Sequence, residues 1–80
     1  MTTTYAAINN ALTLDEKRVV VLYAQNNMRI NGTAKQANYH ERTIHTKLHD
    51  VYKKTGLDPK MFHDLVLLIF AIAEGGKEYA

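Results

Sequence analysis

The sequence contains no cysteine and no serine, and only one proline and four glycines among its 80 residues. Without cysteine the chain forms no disulfide, and without cysteine and serine it lacks the commonest thiol and hydroxyl nucleophiles. The longest apolar run, residues 65–73, has nine residues, against the roughly 18 that a membrane-spanning helix needs. The first residues also lack the basic start and apolar stretch of a signal peptide. We therefore expect no membrane span and a cytoplasmic location.

The charge of the chain is unevenly distributed. Residues 29–60 contain seven Lys/Arg and three Asp/Glu, a net charge of +4, and the rest contains three and five, a net charge of −2. Three of the four histidines, His40, His45 and His49, also lie in the basic part. A basic middle between acidic flanks indicates a surface that faces a polyanion, although a solvated helix face accounts for the charge equally well.

Apolar residues recur at helical spacing in several segments, and the chain length indicates a single domain. The predicted helices lie within residues 1–12, 13–27, 31–38, 41–55 and 59–74. The first is the weakest, because chain ends often fray. We therefore expect an all-α fold, a compact four- to five-helix bundle that contains a helix-turn-helix.

Individual residues mark the ends of these helices. Thr13 and Glu16 have the spacing of a capping box, which favours a helix there despite the β-prone run at residues 19–23. Asn31 is expected to cap the third helix, and Gly56 to end the fourth in the left-handed conformation. Asp58-Pro59 predicts an N-cap followed by proline at the first helical position of the last helix.

Residues 31–48 have the pattern of a helix-turn-helix. Ala34 is small enough to let a second helix cross closely, Tyr39 falls in the turn, and Ile44 and Leu48 form a buried stripe. A short helix, a short turn and a longer helix place the second helix in the major groove of DNA. The pattern predicts a sequence-specific DNA-binding protein, a transcriptional regulator with helix 41–55 as its recognition helix and double-stranded DNA as its partner.

The outward positions follow once the buried stripe is fixed. The candidates for base contacts are His40, Glu41, Arg42, His45, Thr46 and His49. The candidates for phosphate contacts are Thr33, Lys35, Thr43, Lys47 and Lys53. Arg42 suits a bidentate contact to guanine, worth about 1–3 kcal/mol of discrimination. Glu41 either accepts from a cytosine amino group or favours the helix N-terminus through its macrodipole.

The last helix is apolar on nearly all sides. One stripe is expected to face the core and contains Phe62, Leu65, Val66, Ile69 and Ile72/Ala73. The residues outside it are Leu67, Leu68, Phe70 and Ala71. A helix of this kind must be covered on both sides, so these four residues predict a homodimer interface, unless the helix is simply central in a compact monomer. A symmetric dimer would place its recognition helices about 34 Å apart.

The residues from Asn26 to Ile44, together with Thr55-Gly-Leu-Asp58, resemble the C-terminal helix-turn-helix of PucR/CdaR-type transcriptional regulators, which is similar to the Fis-type motif. The matching features are Asn27, Thr33-Ala34, His40, Thr43-Ile44 and Thr55 to Asp58, and the register runs from about residue 14 to 72. The resemblance implies the fold and DNA binding. The chain departs from the family at Glu41-Arg42 and Thr46-Lys47, which are outward positions, and these 80 residues include no ligand-sensing region.

Two other functions fit parts of the sequence. His45 and His49 have the spacing of two ligands of one metal ion, with His40 and Asp50 nearby, but the glutamate of a zincin is absent between them. No glycine-rich phosphate loop exists, so we expect no enzyme, metal, cofactor or small-molecule ligand. The stronger alternative is a protein–protein adaptor that keeps the fold without binding DNA; its binding would be insensitive to salt, whereas DNA binding is steeply salt-dependent.

Overall fold

The structure, a computed structural model, describes residues 5–75 and forms five α-helices and no strand in that range. They are α1 (Tyr5–Ala11), α2 (Leu14–Gln25), α3 (Ile30–Ala37), α4 (Glu41–Thr55) and α5 (Phe62–Gly75). The radius of gyration is 11.9 Å, close to the about 12 Å of a compact chain of this length, and the predicted all-α fold is confirmed. Residues 1–4 of the predicted first helical segment lie outside the described range.

None of these five helices is both long and apolar enough to cross a membrane.

The start of α2 has the predicted capping box. The Thr13 hydroxyl accepts from the Glu16 backbone N–H at 3.1 Å, and the Glu16 carboxylate accepts from the Thr13 N–H at 2.8 Å. The β-prone run that follows is helical because Val19 and Val20 are fully buried in the core. The far end of α4 also matches its predicted bound, with Gly56 in the left-handed conformation at φ 75°.

The predicted N-cap of α3 is wrong by two positions. The helix begins at Ile30 with Arg29 at the N-cap. Asn31 lies inside the first turn, where its side-chain oxygen accepts from the Gly32 N–H at 2.7 Å. The Asn31 side chain therefore bonds the backbone of the next residue and does not cap the helix. Asparagine side chains form such local bonds readily.

The predicted start of α5 is also wrong. Asp58 caps a separate turn, in which its carboxylate accepts from the Lys60 N–H at 3.0 Å. Pro59 is buried in this turn, and the helix begins at Phe62. An aspartate that bonds the backbone two residues ahead stabilises a turn as well as it caps a helix, which is why the local sequence did not distinguish the two.

The hydrophobic core lies between α2, α4 and α5. Its largest contributors are Val19, Val20, Tyr23, Ile44, Leu48, Val51, Leu65 and Leu68. The helix α2 is central, because it packs against α3, α4 and α5, whereas α1 packs mainly along α5. The position of α2 leaves one side of α4 and one side of α5 facing outward.

The predicted orientation of α5 is wrong for two of the four interface candidates. Leu68 and Ala71 are fully buried within the chain, at 0% exposure. Their side of the helix is covered by α1, and Gly75 at its end approaches so closely that an added Cβ would lie 2.6 Å from the Tyr5 carbonyl oxygen. These two residues therefore belong to the monomer core.

The opposite side of α5 is correspondingly more exposed than predicted. Phe62 is 71% exposed and Ala73 is exposed, although both were expected in the core. Of the other two interface candidates, Phe70 is 51% exposed and Leu67 is half-buried. Because almost every position of α5 is apolar, the sequence alone does not show which side α1 covers.

Candidate functional site

The helices α3 and α4 are joined by a tight turn of three residues. Asn38 ends α3 in the left-handed conformation, at φ 61°, and the Tyr39 N–H donates to the Ala34 carbonyl at 2.9 Å. Ala34 and Ala37 are both 4% exposed, and their small side chains let α4 pack closely against α3. This arrangement holds α4 at the surface with one long side free.

The outward side of α4 carries the predicted base-contact candidates together. All six are exposed, and they are His40, Glu41, Arg42, His45, Thr46 and His49. The other side of the helix is buried through Ile44, Leu48 and Val51. The face available to a ligand is therefore polar, with one acidic side chain at its start.

The predicted phosphate-contact residues divide into accessible and inaccessible ones. Lys35 and Lys53 are exposed, and Thr43 is half-buried. The prediction for Thr33 is wrong, because this residue is fully buried and its hydroxyl donates to the Arg29 carbonyl at 2.7 Å. A threonine inside a helix commonly satisfies its hydroxyl in this way, on the preceding turn.

Lys47 already has an anionic partner. Its ammonium group lies 2.8 Å from the Asp15 carboxylate, and its side chain is 26% exposed. The hydrogen bond from Lys47 lowers the pKa of Asp15, and a bond from the Tyr39 hydroxyl lowers it further. The same contact raises the pKa of Lys47. This lysine therefore connects α4 to α2 and is not free to hold a phosphate.

A second ion pair joins the far end of α4 to the start of α2. The Lys54 ammonium donates to both oxygens of the Glu16 carboxylate, at 2.8 and 2.9 Å. Glu16 is only 4% exposed. Burial raises the pKa of Glu16, but the hydrogen bonds from Lys54 and Thr13 outweigh it, and the pKa is lowered.

The cations of the basic segment therefore serve two different purposes. On the inner side of α4, Lys47 and Lys54 neutralise the two carboxylates of α2. On the outer side, Arg42 and Lys53 form no salt bridge within residues 5–75, and neither does Lys35 of α3. The outward surface consequently keeps its positive charge available for an external anion.

Sequence reasoning missed Lys60, which lies in the turn between α4 and α5. Its ammonium nitrogen is 3.0 Å from Nδ1 of His45. A signal was present in the left-handed Gly56, which reverses the chain direction after α4, but no local pattern shows which side of the helix the returning chain meets. An open groove of about 600 Å³ also lies between α3 and the start of α4, where Lys35 and His40 line it.

The two histidines at metal-ligand spacing, His45 and His49, have other contacts. His45 faces Lys60, and the His49 ring lies 6.3 Å from the Tyr52 ring, centroid to centroid. Within the described residues, no three histidine, aspartate or glutamate side chains converge as a metal site would require.

A separate apolar surface lies between α2 and α5. One cavity of about 340 Å³ is lined by Met28, Phe62, Val66 and Phe70, among others. A second groove, along the other end of α2, contains Leu14, which is 84% exposed. Exposed apolar side chains that adjoin one another, as those around the first cavity do, are a common feature of surfaces that contact another molecule.

Comparison of the chain with known protein families, with curated proteins and with solved structures found no match. The resemblance to PucR/CdaR-type domains thus depends on the residues quoted for it.

Proposed function

We propose that this chain binds double-stranded DNA through α3, the three-residue turn and α4, and that it acts as a transcriptional regulator. The observation that carries the proposal is the division of α4 into a buried apolar side and an exposed side that presents Arg42, His45 and His49. A helix with this division, braced by a shorter helix across a tight turn, has the shape that enters a major groove. The resemblance to PucR/CdaR-type domains supports the same function.

The exposed cations would make two kinds of contact with DNA, to bases and to phosphates. Arg42 lies exposed near the start of α4, and its guanidinium forms no salt bridge with any other residue in the range 5–75, as a bidentate contact to guanine O6 and N7 requires. Lys35 on α3 and Lys53 at the end of α4 flank it and would contact phosphates. Phosphate contacts set the position of a protein on the duplex, and base contacts set its preference for a sequence.

The proposed form on DNA is a homodimer in which a second copy covers the apolar surface between α2 and α5. Two exposed phenylalanines, Phe62 and Phe70, form the centre of that surface. In a two-fold symmetric dimer on DNA, the two α4 helices would lie one DNA turn, about 34 Å, apart.

The first test is a fluorescence-anisotropy titration of random-sequence duplex DNA at about 50 and about 200 mM salt. We expect binding in the micromolar range that weakens steeply at the higher salt, because each neutralised phosphate releases counterions. Lys53→Ala should reduce the slope of log affinity against log salt by about 1. Lys53→Arg is the matched control, since it keeps the charge at the same exposed position, and it should leave the slope unchanged. Absence of binding at both salt concentrations would refute the proposal.

A test of base recognition follows once a preferred site is selected from a random library. Arg42→Ala should weaken binding to that site about 5- to 150-fold, the equivalent of about 1–3 kcal/mol, and weaken binding to random DNA much less. Equal losses on both duplexes would make Arg42 a phosphate contact.

A protein–protein adaptor is the second candidate function. The exposed aromatic surface at Phe62 and Phe70 favours it, because such a surface suits a different partner as well as a second copy. The two functions differ in their response to salt. An apolar interface changes little between about 50 and 200 mM salt, whereas the phosphate contacts of DNA weaken steeply.

A further inference from the structure

Lys60 reaches the outward side of α4 from a turn that is defined by several hydrogen bonds. The left-handed Gly56 donates its N–H to the Tyr52 carbonyl and ends α4. The chain then turns back through Asp58, whose carboxylate accepts from the Lys60 N–H and whose carbonyl accepts from the Met61 N–H at 2.9 Å. The backbone of Lys60 is therefore fixed beside α4, although its side chain is 15 residues away from His45 in sequence.

The contact between these two side chains determines where His45 carries its proton. A lysine ammonium group has three donors and no acceptor, so Nδ1 of His45, 3.0 Å away, must act as the acceptor. A neutral imidazole has one donor nitrogen and one acceptor nitrogen. The proton of neutral His45 consequently lies on Nε2, which becomes a hydrogen-bond donor on the exposed side of α4.

We propose that Lys60 is a positioning residue for base recognition, which holds His45 as the neutral Nε2–H tautomer so that His45 donates to a guanine. The inference rests on the proposed DNA binding. Guanine fits because its major-groove edge presents two acceptors, N7 and O6, and no donor. Arg42, one turn before His45 on the same face, favours the same base. The ammonium group of Lys60 also adds positive charge to this surface.

Nitrogen-15 NMR of the histidine ring in the free protein tests the tautomer without DNA. At about pH 8, above the usual range of histidine titration, Nδ1 of His45 should show the chemical shift of an unprotonated nitrogen and Nε2 that of a protonated one. Lys60→Met should move both shifts toward those of a mixture of tautomers, and Lys60→Arg, which also has only donors, should restore them. Lys53→Met, a loss of the same charge at the end of α4, should leave them unchanged. A protonated Nδ1, or shifts that ignore Lys60→Met, would overturn the inference.

Selection of preferred duplexes from a randomised library tests the consequence for recognition. Lys60→Met and His45→Ala should both lose the preference for guanine at the same position, by about fivefold, the equivalent of one net hydrogen bond of about 1 kcal/mol. Lys60→Arg should keep it, and Lys53→Met should weaken binding to all duplexes alike. An unchanged preference in Lys60→Met would overturn the role in recognition. If no duplex is enriched, the recognition role fails, while the titration of random-sequence duplex still decides DNA binding and the NMR result still decides the tautomer.

Discussion

The Tyr39 hydroxyl donates a hydrogen bond of 2.7 Å to the Asp15 carboxylate, and this bond joins the turn before α4 to the first turn of α2. The same carboxylate accepts from Lys47 and Arg18, and the cationic groups of both lie within 6 Å of the Tyr39 ring centroid, at 5.4 and 5.8 Å. One residue of α2 therefore holds the turn and the middle of α4 together. The orientation of the exposed face of α4 depends on this junction.

Tyr39→Phe should destabilise the protein by about 0.5–1.5 kcal/mol, because it removes the hydrogen bond and keeps the ring. The measurement is the midpoint of urea unfolding, followed by circular dichroism. Tyr52→Phe is the control, since Tyr52 is 45% exposed on α4, and its midpoint should stay within error of the wild type. Equal shifts in the two variants would show that the Tyr39 hydroxyl contributes nothing specific.

Acid should weaken the fold through Glu16. Because its folded-state pKa is lowered, its contribution to stability is complete above the ordinary glutamate value of about 4.3 and is lost as the pH falls through the lowered value. The free energy of unfolding should therefore drop in the wild type as the pH falls below about 4.3, and Glu16→Gln should flatten that drop.

The partner of Glu16 provides the control for the acid effect. Lys54→Met leaves a buried carboxylate without its cation, so it should lower stability at pH 7 and also flatten the drop in acid. Lys53→Met, one residue earlier and exposed, should preserve the wild-type profile. A drop of the same size in Glu16→Gln would assign the acid sensitivity to other groups.

Gly75→Ala should loosen the contact between α1 and α5. The added Cβ would lie 2.6 Å from the Tyr5 carbonyl oxygen and 2.8 Å from Cβ of Asn9, and neither atom is at the end of a flexible side chain. We expect a loss of about 1–3 kcal/mol and faster hydrogen exchange in α1. Gly56→Ala is the control, because it adds the same methyl group where nothing lies within 4 Å. It should lower the free energy of unfolding by about 1–2 kcal/mol through strain in the left-handed conformation. Hydrogen exchange in α1 should then change only as much as the global stability does. Normal protection of α1 in Gly75→Ala would contradict the packing.

Phe70→Arg should convert the proposed homodimer to a monomer, because a charge would replace an aromatic side chain at the centre of the apolar surface. The measurement is sedimentation equilibrium, with circular dichroism to show that the helices persist. Thr46→Arg adds the same charge to the exposed side of α4 and should remain dimeric. A monomeric wild type would refute the homodimer.

Sequence reasoning succeeded where the determinants are local. The capping box of Thr13 and Glu16, the bounds of α4 and the left-handed Gly56 all depend on residues within a few positions of one another. The inward side of α4 was equally clear, because its apolar stripe contrasts with polar neighbours. On α5 no such contrast exists, and its rotation depends on α1, which lies more than 50 residues earlier.

The ion pairs of the site also depend on residues that are far apart in the sequence, so local patterns did not predict them. Lys47 and Lys53 are indistinguishable by type and differ only in their distance from the carboxylates of α2, which are about 30 residues away in sequence. A count of charges therefore predicts a basic surface but does not show which cations are already neutralised. Lys60 escaped notice for the same reason, since its contact with His45 depends on how a turn folds back.

The corners on either side of α3 are formed without glycine. Asn27, Met28 and Asn38 all adopt left-handed backbone conformations, at φ 56°, 63° and 61°, which few residue types other than glycine and asparagine tolerate; Met28 is held there by its packing against the core. Both ends of α3 are thus fixed by its neighbours in the chain. Substitution of the exposed Lys35 should therefore change the charge beside the turn while α3 keeps its place.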